Sequence, residues 1–208
     1  MFKLLKNATV YAPEKLGVRD VLFAGERIVQ IAERIEAHPA YGEIEVIDCT
    51  GCSLVPGFVD QHVHLIGGGG EGSFSTRTPE VMLSDLTSCG ITTVVGTLGT
   101  DSVTRHMTSL LAKAKGLEEE GISTWIYTGA YDVPVPTLTG SVRTDLIIVD
   151  KVVGVGEVAM SDHRSSQPTK LDFAQLAAQA RVGGMLSGKA GVLHIHLGDG
   201  KAMIDWVF

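Results

Sequence analysis

The sequence is short of positive charge, nearly free of cysteine, and contains no long apolar run. Its 17 Lys and Arg stand against 24 Asp and Glu, a formal net charge of −7. That balance argues against nucleic-acid binding, which requires a basic face. No apolar stretch approaches the ~18 residues of a membrane span, so no membrane association is expected. The first residues, up to Pro13, contain Lys3 and Lys6 but no apolar core and no small-residue cleavage site, which excludes a secretory signal and makes the cytoplasm the expected location. Three cysteines, Cys49, Cys52 and Cys89, are too few and too odd in number for a disulfide framework. Cys49-Thr50-Gly51-Cys52 is formally a C-x-x-C. It lacks a second ligand pair at zinc spacing and a thioredoxin-like context, so all three read as plain small residues.

What is present is an ordinary globular composition. Hydrophobic residues are 44% and charged residues 20% of 208, enough for a buried core and for one domain to one and a half. The 25 glycines fall mostly after short apolar runs, where tight turns are expected.

Residues 1–52 read as a small β domain. Strands are expected over Leu4–Tyr11, Asp20–Phe23, Arg27–Ile31 and Ile44–Ile47, with Ala24-Gly25-Glu26 as a hairpin turn. From residue 53 to 208 the rhythm becomes β-α. Strands are expected at Val55–Leu65, Thr92–Leu98, Ser123–Tyr127, Lys151–Met160 and Val192–Leu197. Helices are expected at Pro79–Cys89, Val103–Glu120, Val142–Val149 and Asp172–Leu186, with another starting at Lys201. Trp125 and Trp206 sit in apolar runs and are expected in the core. Alternating β and α with short connections implies parallel strands with crossover helices. Five such units are a little over half of a (β/α)8 TIM barrel. A doubly wound sheet is the other α/β architecture, but its Gly-x-Gly-x-x-Gly turn is missing.

The sharpest local signal is Pro56-Gly57-Phe58-Val59-Asp60-Gln61-His62-Val63-His64. Residues two apart on a strand share a face, so His62 and His64 point together at the strand's C-terminal end. Barrel active sites lie at that end, and two imidazoles so placed suit a metal.

Asp-x-His-x-His after Pro-Gly-Phe resembles the amidohydrolase superfamily. Downstream, His62 to Glu71, Thr78-Pro-Glu, Leu98-Gly-Thr100-Asp101-Ser102, Thr128-Gly-Ala-Tyr131, Gly140-Ser141, Ser161-Asp-His-Arg164-Ser165 and His196-Leu-Gly-Asp199 fall in order. Together they resemble isoaspartyl (β-aspartyl) dipeptidases from about Leu5 to the end of the chain.

The resemblance implies a metallo-dipeptidase with two divalent metal ions, zinc being expected and manganese or cobalt not excluded. His62 and His64 would hold one metal and His196 the other. Glu157 would bridge them where well-known members use a carboxylated lysine, with Gly156 as an extra residue that bulges the strand and turns Glu157 inward. Lys151 lies six residues early, near the barrel bottom. His194 reads as packing; Asp162 and His163 read as loop framework; His38, His106 and Asp101 read as structural.

For the substrate, the resemblance places Glu71 at the ammonium, Arg164 at one carboxylate, and Thr100 with the amide of Gly69 at the other. Tyr131 would stabilise the oxyanion. Tyr131 and Glu157 are thus the implied catalytic groups, and the implied reaction is attack of a metal-bridging hydroxide on the β-carboxamide. The Gly67–Gly70 run lacks a P-loop's Gly-Lys-Ser/Thr ending and is expected to let backbone approach substrate.

The family's acid/base aspartate, a further histidine ligand and a second arginine come later than Phe208. The chain therefore reads as truncated after the fifth barrel strand and is expected to be inactive alone. Two alternatives stand beside the dipeptidase: a cyclic-amide or N-acyl amino acid hydrolase, and an inactive remnant. A small-molecule substrate and a homo-oligomer are the implied partners.

Overall fold

The computed structural model describes residues 1–38 and 42–205. They divide into two compact units, Met1–Gly57 and Phe58–Phe208.

The first unit is a five-stranded sheet of β1 (Phe2–Tyr11), β2 (Lys15–Ala24), β3 (Arg27–Ala32), β4 (Ile44–Asp48) and β5 (Ser53–Leu54). The order is β3-β2-β1-β4, with β5 also pairing β1. Gly25, at φ 59°, makes the β2–β3 turn, a conformation that costs glycine little. β1 carries an irregularity between Leu5 and Ala8, where Asn7 adopts φ 63°. Buried Asp20 holds this place by accepting the amides of Asn7 and Ile35, each at 2.9 Å. Leu4 packs with Leu22 and Ile35, and Ala8 with Val10 and Val21.

The second unit is a five-stranded, all-parallel sheet in chain order: β6 (Phe58–Val63), β7 (Ile91–Gly96), β8 (Ser123–Thr128), β9 (Val152–Met160) and β10 (Val192–Leu197). The connections carry α1 (Leu83–Thr87), α2 (Met107–Glu120), α3 (Val142–Ile148) and α4 (Lys170–Ser187). This is the sequential βα topology of about half of an eight-stranded barrel, as the alternation of elements predicts. Helix α2 buries Met107, Leu110, Ala114 and Leu117, an i, i+3, i+4 stripe against the sheet, and Gly121 caps it at φ 118°. Helix α4 opens on a capping box of Thr169 and Asp172. The core joins Leu65, Val94, Leu98, Ile126, Val155 and Val158 to the helix faces.

Several expectations shift, each for a local reason. The strand expected over Val55–Leu65 is split: β5 pairs with β1 in the first unit, and Pro56 cannot donate to a ladder. The first unit therefore extends to Gly57 rather than stopping at residue 52. The helix expected from Pro79 is only α1, because the Val81 amide donates to Leu65 O at 3.1 Å and keeps that stretch against the strand end. Helix α2 starts at Met107 rather than Val103, because the Asp101 side chain takes the amides of Val103 and Thr104 at 3.1 and 2.8 Å and makes a turn there. Residues 201–205 are turns rather than a helix start, and residues 206–208, Trp206 included, lie outside the described residues. Trp125 is not core. Its neighbours on β8, Thr124 and Ile126, are buried while it is 38% exposed, the alternation of a strand with two faces. Among the described residues no helix is long and apolar enough to cross a membrane.

Candidate metal and substrate site

The C-terminal ends of β6 to β10 and the loops after them gather the polar groups singled out in the sequence. His62 lies on β6 and His64 just beyond its end. Their rings sit edge to face with centroids 5.2 Å apart. Both turn Nε2 toward Glu157 Oε1, at 3.4 and 3.5 Å.

Glu157 owes this orientation to a bulge. Along β9 and β10, Leu193 pairs Val155 and Ile195 pairs Val158, so Gly156 and Glu157 together face His194 alone, as a bulge requires. Gly156 is at φ 152°, and a Cβ there would lie 2.6 Å from His194 O, so only glycine fits. The bulge turns the carboxylate into the protein, where it is 1% exposed, and Thr97 Oγ1 accepts its amide at 2.9 Å. Its second oxygen, Oε2, lies 3.2 Å from His196 Nδ1 on β10.

A buried carboxylate facing three imidazoles is the donor chemistry of a divalent-metal centre. Two ligands at ~2.1 Å from a tetrahedral metal are ~3.4 Å apart. The nitrogen-to-oxygen separations of 3.2, 3.4 and 3.5 Å match that. Ligand atoms of His62, His64 and Glu157 all lie within 4.8 Å of one another, so the residues fit a metal ion. The charges are mutually adjusted. Burial pushes the Glu157 carboxyl up, but its contact with His62 and the nearby His64 and His196 outweigh this and leave it below its usual range. His62 is raised by its bond to Glu157 against burial, whereas burial lowers His64.

Lys151 is remote from this centre, as expected of a residue at the start of β9. It pairs with Glu118, donates to Thr124 O at 3.2 Å, and lies over the Trp125 ring. His194 packs by stacking on Tyr127 at 4.7 Å and 9°, and its Nε2 lies 2.8 Å from His62 Nδ1.

The substrate-reading candidates adjoin the metal candidates. Arg164, in the β9–α4 loop, donates Nη1 to both oxygens of Glu71 at 3.0 and 2.8 Å, and Thr100 Oγ1 donates to Glu71 Oε1 at 2.7 Å. The Tyr131 hydroxyl is 2.9 Å from His196 Nδ1. Burial and then the Glu157 charge push that phenol up to about 12, so it stays protonated through the neutral range. Gly69, at φ 64°, lies in the loop that lines a cavity of about 50 Å³ with His64, Glu71, Thr100 and Tyr131. A Cβ on Gly69 would meet Thr76 O at 2.7 Å. A larger cavity, about 380 Å³, lies between the β8–α3 and β9–α4 loops and contains none of these residues.

Two residues read from sequence as framework or passed over come into contact with the site. Asp162, 3% exposed, lies 3.0 Å from His196 Nε2 and binds Arg164. Its position two residues before Arg164 is the signal that could have found it. Arg105, 5% exposed, donates to Gly68 O at 2.7 Å and Gly69 O at 3.3 Å under the glycine loop. Asp101, read as structural, anchors that corner with Arg77 and Thr104. His163 is exposed.

No family model matches the sequence. The β-aspartyl dipeptidase of Fervidobacterium islandicum AW-1, solved with β-Asp-Leu, is 50% identical and covers 100% of this chain at a TM-score of 0.93. A second structure of that enzyme gives 50% and 0.95. Over its whole length the chain is similar to these β-aspartyl dipeptidase structures. It spans 54% and 56% of the length of those two solved chains. Dihydropyrimidinase from Brevibacillus agri NCHU1002, at 22% identity over 100% of this chain and 42% of its own, with a TM-score of 0.64, is similar in fold. The dihydroorotase of Staphylococcus epidermidis (strain ATCC 12228 / FDA PCI 1200) is 45% identical over 69 residues, 33% of this chain and 16% of that protein.

Proposed function

We propose that this chain carries the metal-holding and substrate-reading groups of a metal-dependent dipeptidase that hydrolyses the β-aspartyl bond of isoaspartyl dipeptides. The carrying observation is the Glu71–Arg164 pair beside the Glu157–His196 centre. An acid and a base at one mouth match a substrate that brings an ammonium and two carboxylates. The relative solved with β-Asp-Leu supports the same reading.

His62, His64, Glu157 and His196 would hold two divalent ions, zinc being the natural choice for imidazole and carboxylate ligands. Such ions supply a hydroxide nucleophile at neutral pH and a positive charge for the carbonyl oxygen. The chain's own residues read the substrate and stabilise developing charge. Arg164 offers a planar fork to one substrate carboxylate. Glu71 takes the ammonium. Thr100 and the amide of Gly69 take the second carboxylate. In the free protein Glu71 and Arg164 satisfy each other, and a zwitterionic substrate replaces that pair with its own charges. Tyr131, kept neutral, donates a hydrogen bond to the oxygen where negative charge develops. Glu157 keeps an anion between the imidazoles.

The protein would be a cytoplasmic homo-oligomer acting on small dipeptides, and the −7 net charge accords with the lack of a nucleic-acid partner. A second reading, hydrolysis of a cyclic amide, is favoured by the local dihydroorotase similarity. It shares the three histidines but has no use for Glu71 and Arg164 together.

The test is to supply the remaining barrel strands, since this chain alone is expected to be inactive, load the completed protein with zinc, and follow leucine release from β-Asp-Leu and from α-Asp-Leu, with dihydroorotate ring opening alongside. Cleavage confined to β-Asp-Leu is expected. Equal cleavage of both dipeptides, or ring opening alone, overturns the assignment.

A further inference from the structure

Asp162 follows β9, and its two oxygens are fully engaged. Oδ1 accepts the backbone amide and Nε of Arg164 at 2.8 and 2.9 Å. Oδ2 accepts Arg164 Nη2 at 2.6 Å and lies 3.0 Å from His196 Nε2. The other nitrogen of His196, Nδ1, faces the centre, 3.2 Å from Glu157 Oε2 and 2.9 Å from the Tyr131 hydroxyl. The contact has room built for it. Gly198, two residues after His196, would place a Cβ 2.4 Å from Asp162 Cβ if it were alanine.

A neutral imidazole has one N–H and one lone pair. Nδ1 can offer its lone pair to a metal only while the proton sits on Nε2, and an Nε2–H turned toward a buried carboxylate calls for that acceptor. Arg164 Nη2, 3.0 Å from the same nitrogen, is a donor only. Arg164 could only donate into an unprotonated Nε2, so of these two neighbours Asp162 alone can accept a proton held there.

We propose that Asp162 is the positioning residue that keeps the proton of His196 on Nε2, leaving Nδ1 free as a ligand atom, while the same carboxylate fixes the fork of Arg164. The inference rests on the reading of Glu157 and His196 as metal ligands. One buried carboxylate thereby links a metal ligand to the group that reads the substrate. Asparagine cannot do both. With its amide nitrogen toward His196 it donates into Nε2 and drives the proton onto Nδ1. Turned the other way, it sets donor against donor at Arg164.

The test is a zinc competition titration of the wild type, Asp162→Asn, Arg164→Met and His196→Ala, with ¹⁵N NMR of the zinc-loaded wild type. Loss of an outer-shell carboxylate lowers metal affinity about 10- to 100-fold. That loss is expected in Asp162→Asn for the zinc that depends on His196, while Arg164→Met, which keeps the Asp162 carboxylate, is expected to lose less zinc affinity. NMR is expected to find His196 protonated at Nε2, with slow proton exchange. This measurement on the wild type serves even where Asp162→Asn fails to fold. Unchanged zinc affinity in Asp162→Asn, or a proton on Nδ1, overturns the role of Asp162 alone. Wild-type zinc uptake that His196→Ala leaves unchanged overturns the metal-centre reading and this inference with it.

Discussion

Glu157 and His196 meet across two neighbouring parallel strands, Oε2 to Nδ1 at 3.2 Å, while the other oxygen of the same carboxylate faces His62 and His64. One short acidic side chain thus spans two groups of imidazoles. Its reach comes from the backbone: the bulge at Gly156 turns residue 157 inward.

That dependence makes Gly156→Ala informative. The added methyl would lie 2.6 Å from His194 O and 2.7 Å from His194 Cβ, against backbone that cannot yield cheaply. Destabilisation of about 1–3 kcal/mol is expected, measured by urea denaturation of the metal-free protein, together with weakened zinc binding. Full stability and full zinc affinity would show that the bulge does not position Glu157.

Tyr131→Phe removes one hydrogen-bond donor and little volume. Loss of one such donor costs about 10²- to 10³-fold in kcat, with KM for β-Asp-Leu little changed. The wild-type phenol sits at about 12, so the wild-type rate should show no tyrosine limb below about pH 10. A rate that falls with a tyrosine ionisation near pH 9 would remove Tyr131 from this role.

Arg164→Lys and Arg164→Met should both cripple cleavage of β-Asp-Leu, because a lysine ammonium cannot reproduce the planar fork. A loss of about 10²-fold or more in kcat/KM is expected from leaving a substrate carboxylate unpaired. Wild-type rates in either variant would overturn the substrate assignment.

Acid stability follows from depressed carboxylates outside the centre. Burial raises the Asp101 carboxyl, but bonds from Thr104, Val103 and Arg77 win and bring it to about 2. A group depressed in the folded state stabilises above its unfolded pKa, ~3.9 for Asp, and that contribution is lost as pH falls toward the folded value. The melting temperature of metal-free protein should therefore fall between about pH 4 and pH 2, and Asp101→Asn should flatten that fall. An unchanged acid slope in the variant would exclude Asp101 as a contributor.

The sequence by itself determined the alternation of elements. Apolar β-branched runs separated by amphipathic segments leave a parallel βα arrangement as the consistent solution, and strands β6 to β10 formed within a few residues of expectation, apart from the Pro56 break. The spacing of His62 and His64 placed both on one strand face, because side-chain direction there depends only on counting by two. The extra residue Gly156 was likewise visible as a glycine inside a valine strand. Element ends were not, since the side chains of Asp101 and the pairing of Val81 set them through contacts between distant or irregular segments. Only the tertiary structure placed Asp162 against His196 and Arg105 beneath the glycine loop. Those contacts join residues 34 and 36 or more positions apart. A carboxylate in a loop has no period to betray its direction; what it touches is fixed by where neighbouring strands end and by the missing side chain of Gly198.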